Sequence, residues 1–97
     1  MSRSKAPRYR VVAHRRVLRF LNGLDDEGQR VALIEAMESL EGYPVSLGSM
    51  DVATIRGADK TFRVRVGRYR IIFAVDKEES TIYVTHLDTR KKVYKKS

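Results

Sequence analysis

The chain has 97 residues, with 20 Lys and Arg against 12 Asp and Glu, a net charge of +8, 42% hydrophobic residues and no cysteine. That length supports one small core, which disfavours a two-domain cleft enzyme or a transporter, and no apolar run approaches the roughly 20 residues of a membrane helix. Without Cys there are no disulfides, no thiolate catalysis and none of the usual structural zinc sites, so the reading is one soluble, cytoplasmic domain over residues 1–97, held by packing.

The charge is segregated along the chain. Residues 1–24 carry seven basic and no acidic side chains, residues 25–55 one basic and seven acidic, and residues 56–97 twelve basic and five acidic. Basic ends around an acidic middle predict a one-sided positive surface suited to a polyanion. Arg outnumbers Lys thirteen to seven, which favours planar, bidentate recognition of phosphate.

In chain order, Met1 to Pro7 reads as a mobile arm. Tyr9, Val11 and Ala13 alternate with Arg10 and Val12, which predicts a short first strand. From His14 the period changes: Val17, Leu18, Leu21 and Leu24 form the apolar stripe of a helix interrupted at Asn22-Gly23. Asp25 and Asp26 are caps for a second helix, with Asp26 and Gln29 spaced as a capping box. Val31, Ile34, Met37 and Leu40 are its expected buried stripe, and Gly42 and Pro44 end it. The two helices are expected to run antiparallel. Val45 to Gly57 reads as a loop leading to a short strand near Val52 to Arg56. Phe62, Val64 and Val66 then alternate with Arg63 and Arg65. After Gly67-Arg68, the residues Tyr69, Ile71, Phe73 and Val75 alternate with Arg70, Ile72 and Ala74. A Gly-X pair between two alternating runs predicts a two-residue hairpin with a type II′ turn. Asp76 to Ser80 is a second turn, Thr81 to Leu87 a further strand, and Asp88 to Lys96 a basic tail. The fold class is therefore α+β, with a mainly antiparallel sheet of three to four strands after the first strand and helices.

The hairpin is the candidate site. Its register pairs Val66 with Tyr69, Arg65 with Arg70 and Val64 with Ile71, which sends the apolar set toward the helices. Arg63, Arg65 and Arg70 then share the opposite face. Like charges directly across a ladder are unfavourable. The segment from Lys60 to Val75 offers no acid to relieve them, so an anion between Arg65 and Arg70 is expected, a phosphate fitting best; the alternative is a solvated sheet face whose arginines pair with nearby acids. The tail carries Arg90, Lys91, Lys92, Tyr94, Lys95 and Lys96; a Tyr in a basic run can stack on a base or act near a phosphate. His86 reads either as a satisfied edge histidine or as a proton carrier, and His14 as a cap. No Gly-rich phosphate loop, metal-ligand spacing or nucleophile elbow is present, so no metal or cofactor is expected.

Three segments carry a resemblance: Ile55-Arg56-Gly57, the run Phe62 to Phe73 with its Arg-x-Arg-x-Gly-x-Tyr-Arg core, and Arg90-Lys91-Lys92-Val93-Tyr94. Together, over residues 8 to 95, they resemble the RelE family of toxin–antitoxin toxins within the RelE/ParE superfamily. Thr89 stands where the family commonly has His. The resemblance implies a ribosome-dependent endoribonuclease that cuts mRNA and inhibits translation. Its partners would be the ribosome, mRNA and a cognate RelB-like antitoxin, and it would reach operator DNA only through the antitoxin complex. The catalytic positions it implies are Arg65, Arg70, Arg90 and Tyr94, with Arg63, Arg68, Lys91, Lys92 and Lys95 binding RNA. The ParE branch, whose members inhibit DNA gyrase without hydrolysing RNA, and a non-catalytic nucleic-acid-binding protein are the alternatives.

Overall fold

The computed structural model describes residues 8–89. The expected arm, 1–7, and the tail residues Arg90, Lys91, Lys92, Tyr94 and Lys95 lie outside the described residues.

Alternation over 9–13 yields β1 (Arg10–Ala13), and His14 then caps α1 (Arg15–Asn22), its Nδ1 accepting the backbone N–H of Arg16. Asp26 caps α2 (Glu27–Ser39) by accepting the N–H of Gln29, as the capping-box spacing predicts. Two 3₁₀ turns, Leu40–Gly42 and Val45–Ser49, fill much of the stretch read as loop. The strand expected near Val52 to Arg56 is β2 (Asp51–Thr54), which begins one residue earlier and stops before Ile55. β3 (Thr61–Val66), β4 (Tyr69–Asp76) and β5 (Thr81–Thr89) follow, the last two residues longer than its apolar pattern.

The five strands form one sheet in the order β1-β5-β4-β3-β2, with β1 parallel to β5 and every other pair antiparallel. Val64 faces Ile71, Arg65 faces Arg70 and Val66 faces Tyr69, the register that the alternation and the Gly67-Arg68 turn predict. Gly67 has φ +61° and Arg68 is not among the residues of positive φ, the signature of a type II′ turn.

The core is formed where the helices meet one face of the sheet. Val17, Leu21, Leu33, Met37 and Leu40 pack with Val64, Tyr69, Ile71, Phe73, Val75, Ile82, Val84 and Leu87. Phe73 is fully buried and stacks on Phe62 at 5.3 Å. The buried stripe of α2 differs from the expected one: Leu33 is fully buried, whereas Val31 is 43% exposed. Met37 and Leu40 belong to both stripes; Leu33 lies four residues before Met37 and Val31 three before Ile34, both helical spacings, so periodicity alone does not choose between Leu33 and Val31. Leu18 is half exposed because it lines a groove of about 450 Å³ with Val11, Leu21, Ile34 and Met37. Among the described residues no helix is long and apolar enough to cross a membrane.

Candidate nucleic-acid interface

The face turned away from the core cluster carries the candidate residues. Alternation from Val64 outward puts Arg63 and Arg65 on it from β3, and alternation from Ile71 puts Arg70 and Ile72 on it from β4. Arg65 and Arg70 are direct cross-strand partners, which brings their Cβ atoms to about 5 Å. Arg63 lies two residues along the same face, half-buried, and Arg68 is exposed in the turn. The strands thus assemble Arg63, Arg65 and Arg70 on one patch.

The expectation that no acid relieves this pair is corrected. β2 pairs Asp51 with Arg65 and β5 pairs Asp88 with Arg70. One row across four strands therefore reads Asp51, Arg65, Arg70, Asp88, a span of about 14 Å at the usual strand spacing. Arg65 Nε donates to Asp51 Oδ2 at 3.2 Å, with the two side chains 38% and 56% exposed; such a surface pair contributes roughly 0–1 kcal/mol. The acids sit on the flanking strands, outside the hairpin, where local sequence does not reveal them. They bracket the two arginines in the row. Arg70 Nε is buried and has no hydrogen-bond partner among the described residues. A donor left unmade in this way costs about 1–3 kcal/mol, and an anion reaching it would recover that cost.

Two residues that the sequence reading left without a function also reach this region. Arg16, in the first turn of α1, directs Nη1 at His86 Nε2 over 2.7 Å, across seventy positions of sequence. His14 sits beside them, with its Nδ1 3.3 Å from Arg16 Nε. Partial desolvation and then the charges of Arg16, Arg15, His86 and Arg19 hold the His14 imidazole below its ordinary 6.5. Nothing local in the sequence marks Arg16, which is one of a run of helix arginines. Among the described residues no three His, Asp or Glu side chains converge as a metal cage.

A two-layer α+β domain with helices on one sheet face and a patch of arginines on the other is the class that the fold defines. No family model matches the chain, but whole-chain likenesses do. A chain in the crystal structure of an archaeal RelE–RelB complex from Pyrococcus horikoshii OT3 is 30% identical, with 84% of this chain and 94% of that one covered at a TM-score of 0.73. The curated RelE1 protein of Methanocaldococcus jannaschii is 27% identical over 88 residues, 91% of this chain and 97% of that protein. A free Escherichia coli RelE toxin variant shares the fold at a TM-score of 0.68 and 17% identity, covering 91% and 92% of the two chains. The chain belongs to the RelE family of toxins.

Proposed function

We propose that the protein is the toxin of a toxin–antitoxin module and acts as a ribosome-dependent endoribonuclease on mRNA, held inactive by a RelB-like antitoxin. The observation that carries this reading is the cross-strand pair Arg65–Arg70 with Arg63 beside it, three guanidinium groups on one sheet face. Cleavage by 2′-hydroxyl attack on the adjacent phosphate requires in-line alignment, removal of one proton and stabilisation of the charge that builds on the phosphoryl oxygens. Arg65 and Arg70 suit the last task, since fixed guanidinium groups aimed at developing charge are effective where water is excluded. Arg63 and Arg68 would hold flanking phosphates, together with Lys91, Lys92 and Lys95. Arg90 and Tyr94 join the catalytic set by family likeness. Reliance on the ribosome to arrange the RNA follows from a site made mainly of arginines, which are always protonated and poor bases.

The antitoxin partner is supported by the RelE–RelB complex that resembles this chain and by the net charge of +8, which calls for an acidic partner. Primer extension on mRNA translated with and without the protein tests the reading. Discrete stops tied to codon position, seen only with ribosomes, support it. Intact mRNA with stalled DNA replication would instead select gyrase inhibition of the ParE kind, and intact mRNA with unaffected replication would select a non-catalytic binder.

A further inference from the structure

The guanidinium groups of the patch do not readily take a proton, and a bulge in β5 turns a histidine onto the same face. Along β5 the buried residues Ile82 and Val84 alternate inward, and uninterrupted alternation would turn His86 into the core. The register instead shifts between Ile72 and Phe73: Phe73 pairs with Val84 and Ile72 with His86, leaving Thr85 as the extra residue. His86 is thereby turned outward and Leu87 inward, where it is buried. Bulges commonly re-aim a side chain in this way. On that face His86 shares a row with Ile72 and Arg63 and lies diagonal to Arg70, a separation of about 7–8 Å or less between Cβ atoms.

The hydrogen bonds around the ring favour one assignment. β1 ends at Ala13, opposite Val84, and His14 N–H bonds the Val84 carbonyl at 2.9 Å before the chain turns into α1. Arg16 is thus set beside the stretch of β5 that β1 does not cover. Its guanidinium only donates, so His86 Nε2, 2.7 Å from Arg16 Nη1, presents its lone pair. On the other side of the ring, Nδ1 lies 3.0 Å from Thr85 Oγ1, and the Thr85 hydroxyl donates to the Ile72 carbonyl over 3.4 Å. These partners favour the tautomer with the proton on Nδ1 and Nε2 as the acceptor. The charged groups around it are Arg16 and His14 from the start of α1, Arg70 from β4, Arg63 from β3 and Asp88 from its own strand.

We propose that His86 Nε2 is the base of the cleavage reaction and that Arg16 is its positioning residue; this rests on the ribonuclease reading above. The 2′-hydroxyl proton passes to Nε2 as the 2′-oxygen bonds to phosphorus. The P–O5′ bond then breaks, leaving a 2′,3′-cyclic phosphate; the departing 5′-oxygen takes a proton from water, and the resulting hydroxide is neutralised by the proton held on His86. Arg16 fixes the tautomer before substrate arrives and yields the Nε2 lone pair to the 2′-hydroxyl as the substrate binds.

The test is single-turnover cleavage of ribosome-bound mRNA between pH 5.5 and 8.5. The proteins are the parent, His86→Ala, His86→Gln, Arg16→Ala and Arg16→Lys, with Lys77→Ala in the distant β4–β5 turn as control. Thermal melts confirm folding. The parent rate should rise with pH as one group loses its proton and then level off. The two His86 variants should be slower by about 10²–10³-fold and lose that rise. Arg16→Ala should lose about tenfold, partly restored by Arg16→Lys, whose ammonium also donates. Independently of activity, nitrogen-15 spectra of the parent imidazoles at pH 7.5 should report the Nδ1–H tautomer at His86, and Arg16→Ala should convert it to a mixture. Cleavage by either folded His86 variant within threefold of the parent, with the same pH profile, overturns the assignment alone, as does an Nε2–H tautomer. A parent that leaves all mRNA intact overturns the ribonuclease reading and the base with it, even if the Nδ1–H tautomer is seen.

Discussion

Arg65 and Arg70 are paired with each other by register, yet their environments differ. Arg65 has the exposed carboxylate of Asp51 to lean on, whereas Arg70 keeps a buried Nε without an acceptor among the described residues. Truncation should separate them. Arg65→Ala should change stability by no more than about 0.5 kcal/mol, since a surface ion pair and a like-charge contact are lost together. Arg70→Ala should leave stability level or raise it by up to about 1 kcal/mol, because an unsatisfied donor goes as well. Either variant should lower cleavage by about 10²–10³-fold, by analogy with loss of an oxyanion-hole donor. Lys should replace them poorly, being unable to grip two phosphate oxygens in one plane. Melts and ribosome-programmed cleavage assays check both halves; early melting with activity falling only in step would make the pair structural. His14 gives a pH dependence of definite sign. Its folded-state value lies below the ordinary 6.5, so the unfolded chain binds its proton first as pH falls. The stabilisation is full above 6.5 and is lost as pH drops through the folded value. Protonation also removes the Nδ1 lone pair that caps α1. His14→Asn keeps a capping acceptor and removes the titration, so its melting temperature should fall less than the parent's between pH 7.5 and 5. Parallel curves would contradict this.

At the scale of elements, the hairpin owes its register to one turn. Gly67 adopts φ +61°, and a Cβ built there meets nothing within 4 Å. Gly67→Ala should therefore cost only the strain of a positive-φ turn position, about 1–3 kcal/mol, read as a shift in denaturant midpoint at unchanged slope. α2 depends on its cap in a comparable way. Asp26 Oδ1 accepts the Gln29 N–H at 3.1 Å, and Asp26→Ala should cost about 1 kcal/mol. Arg30, one turn into that helix, is less neutral than its acidic surroundings suggest. It donates to the Leu24 carbonyl at 3.0 Å and pairs with Glu27, tying the loop between the helices to α2.

For the whole molecule, the helices and the arginines divide the sheet between them: one face is spent on the core and the other carries charge. Phe73, fully buried at the centre of β4, should report on the first alone. Phe73→Ala is expected to cost about 3–5 kcal/mol, enough to unfold much of a marginal domain of this size. The net charge of +8 governs the second. Purification from cells carrying the native operon should yield a complex with an acidic partner. Raising salt should slow its formation much more than it speeds its dissociation, because steering is screened while apolar contacts persist. A monomeric product would count against the partner.

Much of this was legible from the amino-acid order alone. Alternation with period two around a single Gly-X turn admits one hairpin register, so the opposition of Arg65 and Arg70 follows from local sequence. The caps of both helices are equally local, since Asp26 and His14 bond backbone groups within three residues. The tertiary structure decided what depends on partners distant in the chain. α2 is apolar around much of its surface, so only packing against the sheet chose Leu33 over Val31. Asp51 and Asp88 join the arginine row because β2 and β5 flank the hairpin, and no spacing in the sequence encodes that pairing. The bulge at Thr85 inverts the alternation of β5, and the fold carries Arg16 across seventy positions to His86. Side-chain periodicity is a property of one strand or helix; a shared row or a cross-element hydrogen bond exists only once the elements are assembled.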